Sequence, residues 1–269
     1  MRMRNAIAGA VIGTTVGIAI GRAVRWWRTW GFDPIEAAMP LPGDDLVPTP
    51  TAIDTRGIII EAPPEAVWPW LVQMGFARAG WYSYDRMDMR GRSCDRLVPE
   101  WQTIEVGDII PTSPDSGFEV RIVEPGRALV LYLDTALVAS QAAAAAAPVR
   151  PDVPVGLAAS RAILRQTPQD FATSWTFAIE PLDGGRTRLI ERFRVRFGAR
   201  GPAFRVGSPA MGFGVFVMMQ RQMLGIRERA QRTVVLTRPT APIEKRTVAK
   251  TNGHVGEHPA ETEVVASAI

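Results

Sequence analysis

Apolar and polar positions alternate with period two in several stretches of this chain. In "FEVRIV", Phe118, Val120 and Ile122 face one way and Glu119 and Arg121 the other. In "TRLIERFRVRF", one regular strand puts Leu189, Glu191, Phe193, Val195 and Phe197 on one face and Arg192, Arg194 and Arg196 on its reverse. "AIDTRGIIIEA" is a β-branched run that suits a strand, and "WQTIEVGDIIP", "RALVLYLD" and "TSWTFAIEP" read as further strands. "EPGR" and "LDGGRT" are turn signals between flanking strands. The period changes in "PPEAVWPWLVQM", where Val67, Leu71 and Met74 share a helix face. Pro63 and Pro64 suit a helix start, whereas Pro69 removes a helical hydrogen bond and predicts a kink or a short broken helix. "GSPAMGFGVFVMMQRQMLGIRERAQR" predicts a long closing helix, apolar early and basic late. Strand, helix, antiparallel strands and long helix make an α+β order.

Four segments fall outside that order. Residues 1–30 open with an apolar run, and 31–51, rich in proline and acid, read as a linker to a domain at 52–237. Residues 136–170, with their alanine tract, read as an insertion with a helical piece between strands. Residues 238–269 are polar, lack periodicity and read as a disordered tail.

Residues 6–21 carry no charge. Counted on to Val24, with Arg22 able to snorkel, the run gives about 28 Å of helix, close to a hydrocarbon core of roughly 30 Å. Trp26, Trp27 and Trp30, interleaved with Arg22, Arg25 and Arg28, then suit an interfacial belt. The expectation is a single-pass anchor in the cell membrane. A signal peptide is the rival, since Arg2 and Arg4 form a basic start, but an arginine–tryptophan cluster is a poor cleavage region. Flanking arginines are nearly balanced and lean towards a cytoplasmic domain. Gly9, Gly13, Gly17 and Gly21 recur every four residues, a stripe that allows close helix–helix approach in lipid and hence self-association.

Composition chiefly excludes. Net charge is +4 without a dense basic block, which argues against nucleic-acid binding. The lone Cys94 allows no internal disulfide. His254, His258, Lys245 and Lys250, all the histidines and lysines of the chain, lie in the tail. The domain therefore offers no histidine base, no Schiff-base lysine and no His/Cys metal cluster, and no cofactor or metal is expected. Acid–base chemistry is left to Asp, Glu and Tyr.

"QMGFARAGWYSYDRMD" gathers Trp81, Tyr82, Tyr84 and Asp85. Such side chains suit either the wall of a mixed pocket or a packed corner that satisfies itself. Asp85 is expected to form a structural ion pair with Arg78 or Arg86. Glu191 on an otherwise apolar strand face would be costly to bury and its pKa would rise, which is how a general acid is made. The expectation is a bulge or edge position that leaves it in water. Met211, Phe213, Phe216, Met218, Met219 and Met223 on the last helix suit either a core or an adaptable ligand wall.

"IIIEAPPEAVWPWLVQMGFARAGWYSYD", followed in order by "EVGDIIP", "GFEVRIVEPGRALVL", "SWTFAIEPLDGGRTRLIERFRVRF" and "MMQRQMLGIRERA", resembles the SRPBCC superfamily, the START-like or polyketide-cyclase-like proteins. The likeness runs from Ile53 to Gln231, interrupted by the alanine-rich insertion. It implies a helix-grip fold: a curved antiparallel sheet around a long C-terminal helix, with an apolar cavity between them. Members bind lipids, sterols or polyketides, and a minority catalyse cyclisation or dehydration. The resemblance thus implies a hydrophobic small-molecule ligand, with Trp81, Tyr82, Tyr84, Trp175, Phe193, Phe216 and Met219 as its wall. The first expectation is a membrane-anchored, non-catalytic binder. The alternatives are a cyclase or dehydratase using Glu191, Asp85 or Tyr82, and a membrane assembly protein working through its glycine stripe.

Overall fold

β1 (Ala52–Ile60), β2 (Ile109–Ser113), β3 (Ser116–Glu124), β4 (Ala128–Asp134), β5 (Phe171–Leu182) and β6 (Arg186–Phe197) form one antiparallel sheet in the order β1-β6-β5-β4-β3-β2. The computed structural model describes residues 18–19, 21–88, 91–114, 116–144, 171–198 and 202–237, without side chains at 88, 144, 202–211 and 236–237. Four labelled helices accompany the sheet: α1 (Pro64–Val72), the single turn α2 (Asp85–Asp88), α3 (Thr135–Ala144) and α4 (Pro202–Thr237). A further helical segment covers 21–28. The arrangement is α+β and helix-grip-like.

Local chemistry accounts for the elements. β5 and β6 are joined through Asp183, Gly184 and Gly185, whose glycines hold φ of 76° and 70°, a region other residues seldom enter. α1 is a short helix with Pro69 inside it, one hydrogen bond poorer for the missing N–H, and it buries Val67 and Leu71 completely; Met74, just beyond its end, is buried as well. α4 packs on α1 and β1 and sends Phe216, Met219, Met223, Ile226 and Ala230 inward. Met223 and Ile226 join Leu129, Leu131, Phe177 and Leu189 of the sheet in one core.

Two strand readings are corrected. In β3 a register shift between Val120 and Ile122 breaks the alternation, so Val123, paired with Leu129, packs on the core where Ile122 was expected. "WQTIEVGDIIP" is not one strand: Pro99–Trp101 is a 3₁₀ turn and pairing begins only at Ile109. Most of the expected anchor, residues 6–17 and 20, lies outside the described residues, as do Gly9, Gly13 and Gly17, and the tail from 238. Among the described residues no helix is long and apolar enough to cross a membrane.

Residues 31–51 are not a free linker. They run as a strap over the sheet face opposite α4, and the arginines of β6 hold them there. Arg192, almost fully buried, donates Nη1 to Asp44 Oδ2 at 2.6 Å, Nη2 to the carbonyls of Ala37 and Met39 at 2.8 Å each, and Nε to Thr55 Oγ1 at 3.0 Å. Arg194 donates to the Val47 carbonyl, and Thr176 Oγ1 to that of Pro42 at 3.0 Å. Gly57 is where the strap comes closest: a Cβ there would strike the Phe32 ring, and its N–H bonds to Trp30 O at 2.9 Å. The strap lacks periodicity because it is fixed through its carbonyls rather than an apolar face.

Removing one member of a buried charged network leaves the others uncompensated. Arg192→Leu is expected to lower unfolding free energy by roughly 3 kcal/mol, read from the urea midpoint, with Arg192→Lys intermediate because it keeps charge without the fork. A midpoint within error of the parent would show that Arg192 does not hold the strap.

Candidate functional site

The sheet face towards α4 carries a fully buried carboxylate, Glu191, among mostly apolar side chains. Glu191 is fully buried, because β6 is central and paired on both sides: Arg56 of β1 stands opposite it on one flank and Phe177 of β5 on the other. The expected bulge or edge is absent. Trp175 Nε1 donates to Glu191 Oε1 at 2.7 Å, while Oε2 has no hydrogen-bond partner among the described residues. Burial pushes the Glu191 pKa up to about 8, against the opposing pull of Arg56 and of the Trp175 hydrogen bond. At neutral pH it is therefore mainly a carboxylic acid.

Aromatic rings surround this acid. Trp175 stacks on Trp81 with centroids 5.3 Å apart and planes 17° from parallel. It also meets Phe118, Phe177 and Phe193 at 5.5, 5.1 and 6.1 Å. Trp175 and Phe193 are only half-buried, as are Leu137 and Val138 of α3. The cluster thus comes within reach of the surface while its acid does not.

Arg56 is the second polar group on this face, with no solvent exposure. Its Nη2 donates to Asp54 Oδ2 at 3.0 Å, Nε to the Trp27 carbonyl at 2.9 Å and Nη1 to Met219 Sδ at 3.0 Å, with the Phe216 ring 5.4 Å away. Asp54 also faces Arg28 at 3.5 Å, and burial raises its pKa despite both arginines. Trp26 and Trp30 pack edge-on against Phe216, and Trp27 against Phe213. The arginine–tryptophan segment thus docks its rings on α4. Trp26 stays 57% exposed, so an interfacial role is open to that one ring's outer edge.

The loop after α1 divides in two. Trp81 belongs to the aromatic cluster, whereas Tyr82 packs a corner. Tyr82 holds φ of 57°, a left-handed conformation that costs about 1–3 kcal/mol away from glycine. Its N–H bonds to Ser93 Oγ, its hydroxyl accepts from Gln73 Nε2 at 3.0 Å, and Arg229 lies 4.5 Å over its ring. A Cβ on Gly225 would strike its carbonyl, so α4 can approach there only as glycine. Burial raises the Tyr82 hydroxyl pKa, which leaves a neutral phenol and a poor proton donor. Asp85 accepts from Ser93 Oγ at 2.6 Å, and Arg78 spends its guanidinium on the carbonyls of Val72 and Trp101 instead of the expected ion pair with Asp85. Beside them opens a polar cleft of about 470 Å³ lined by Tyr82, Asp85, Ser93, Arg221 and Arg229. Tyr84 is 41% exposed and separate from the Glu191 cluster.

The structure therefore brings Trp81, Trp175, Phe193 and Glu191 together, with Phe216 and Met219 reached through Arg56. Sequence reasoning missed Arg56, Asp54 and Phe118. Arg56 interrupts an otherwise β-branched run, and that break was the available signal. Among the described residues no group of three or more His, Cys, Asp or Glu is placed to hold a metal.

No family model matches the chain, and no curated protein matches it. Solved structures similar to it include protein MLL2253 from Mesorhizobium loti, at 18% identity over 66% of this chain and 98% of that one, TM-score 0.32. The Zhui aromatase/cyclase from Streptomyces sp. R1128 is 13% identical over 68% and 95% of the two chains, TM-score 0.28. The Polyketide_cyc-like protein Cgl2372 from Corynebacterium glutamicum is 16% identical over 68% and 91%, TM-score 0.25. Two of these three are described as an aromatase/cyclase and a Polyketide_cyc-like protein. At such scores the functional reading rests on the residues themselves.

Glu191 makes stability depend on pH. Its folded pKa of about 8 lies above the ordinary carboxyl value of about 4.3 in the unfolded chain. The folded state thus binds the proton more tightly. The contribution is fully present below the unfolded pKa and is lost as pH rises towards 8, by at most about 1.4 kcal/mol per pH unit. Thermal melts of the parent should fall relative to Glu191→Gln between pH 5 and 8, by roughly 2–4 °C per kcal/mol lost. Parallel curves would show that Glu191 is solvated.

Proposed function

We propose that this chain is a membrane-anchored protein that holds a hydrophobic small molecule between its sheet and α4. Trp81, Trp175, Phe118 and Phe193 would wall the ligand, and Glu191 would be its polar contact. The observation that carries this reading is Glu191 Oε2, which is buried, has no partner among the described residues and stands behind an aromatic cluster that nears the surface. An unmet buried polar group costs about 1–3 kcal/mol, a cost that a ligand's polar group would offset. Aromatic walls with one polar contact are the usual make-up of a small-molecule pocket. The anchor rests on the uncharged run at 6–21 and its arginine–tryptophan flank.

A second reading, acid catalysis of a cyclisation or dehydration, is favoured by one fact: Glu191 keeps its proton at neutral pH. Turnover of a polyketide-like substrate that Glu191→Gln abolishes, while binding persists, would establish the enzyme.

Binding itself is tested with the full chain in mild detergent and the neutral probe N-phenyl-1-naphthylamine. The expected result is saturable fluorescence enhancement, weakened about tenfold by Phe193→Ala, and native mass spectrometry showing a co-purified small molecule. A protein that is ligand-free in every preparation and shows no saturable probe binding would refute the proposal.

A further inference from the structure

Arg56 and Glu191 are register partners on adjacent strands, both wholly buried, and both retain unused bonding capacity. Directly opposed side chains on one sheet face have Cβ atoms about 4.5–5.5 Å apart, so one small group can touch both. The partner of Arg56 Nη1 is the Met219 thioether, a weak acceptor for a buried guanidinium. Glu191 Oε2 meets no donor or acceptor among the described residues, and the indole N–H of Trp175 is spent on Oε1. A donor short of a good acceptor thus lies next to a carboxyl oxygen short of any partner.

Charge narrows the choice of guest. The ionisable groups gathered here are Arg56 and Arg28, the carboxylate Asp54 between them, and Glu191. With Glu191 protonated, two cations face a single anion and the face is left positive. Beyond the polar pair everything is apolar: Phe216 under Arg56, Phe177 beside Glu191, then Trp175 and Phe193.

We infer that Arg56 and Glu191 form the head-group subsite for an amphiphile that ends in a carboxylate, with its hydrocarbon or aryl body against Trp175 and Phe193. This rests on the ligand-binding reading above. One carboxylate oxygen accepts from Arg56 Nη1 in place of Met219 sulfur, and the other accepts from the protonated Oε2 of Glu191. Both bonds are charge-assisted, the stronger class of hydrogen bond. An alcohol offers one uncharged oxygen, an ester two weaker acceptors, and an ammonium group is repelled by Arg56. No covalent bond changes, and the proton stays on Glu191.

The test measures displacement of N-phenyl-1-naphthylamine from the full chain at pH 7 and fixed detergent, using dodecanoate, methyl dodecanoate and dodecanol. Dodecanoate is expected to displace the probe at a concentration at least tenfold lower than the ester or the alcohol. Arg56→Gln should abolish the preference, bringing dodecanoate level with the ester and the alcohol. If Arg56→Gln does not fold, the acid-to-ester ratio of the parent decides alone. Equal displacement by all three compounds, or none while the probe still binds, overturns the head-group assignment and leaves the ligand-binding reading standing. Failure of the probe itself to bind removes both.

Discussion

The two-residue period of β6 is the constraint from which most of this molecule follows. A strand with Leu189, Glu191, Phe193 and Val195 on one side must show Arg192 and Arg194 on the other. Antiparallel sheets often leave one face to water, but here both sides of β6 are covered. The arginine side therefore needs a cover rich in acceptors, and the strap at 31–51 provides backbone carbonyls and Asp44. The apolar side needs a cover too, and α4 provides it. Glu191 is the position where that pattern conflicts with itself, a carboxyl group where a leucine would pack. A shift by one residue would exchange the two sides completely, so the register of β6 against β1 and β5 is strongly specified.

That conflict is linked to the N-terminal segment through Arg56. The guanidinium opposite Glu191 is turned to Asp54 and to the Trp27 carbonyl, and Asp54 in turn faces Arg28. Residues 27–28 thus help fix where the positive charge beside the buried acid lies. Because Arg56 is drawn towards Asp54, its charge lowers the Glu191 pKa less than burial raises it. The chain just after the proposed anchor is therefore part of the electrostatics of the candidate site, not a tether to it.

Much of this was legible in the sequence, and the failures have physical causes. The strands, the long last helix and the two faces of β6 follow from periodicity, which reports burial directly. Glu191 was visible as an odd residue on an apolar face, yet the expectation of a bulge or edge misplaced it, because the cost of burial was weighed without the Trp175 hydrogen bond that supports it. The strap escaped notice since carbonyl acceptors leave no trace in side-chain patterning. The bulge at Val120–Ile122 escaped for a similar reason: pairing register depends on the neighbouring strand, and "FEVRIV" alone cannot reveal it.

The loop "GWYSYD" shows how one turn can serve two environments. A residue in extended backbone would carry the chain past the core in a single direction. Tyr82 in the left-handed region reverses it, so that Trp81 stays stacked on Trp175 while Ser83 reaches the Met218 carbonyl of α4. The strain of that conformation is held by Ser93, Gln73, Arg229 and the missing side chain at Gly225. Four separate supports on one strained residue indicate that the position of Trp81 matters to the fold beyond its own burial. Trp81 stacks on the indole whose N–H bonds to Glu191, so a loosened Tyr82 would disturb the support of the buried acid before it unfolded the sheet.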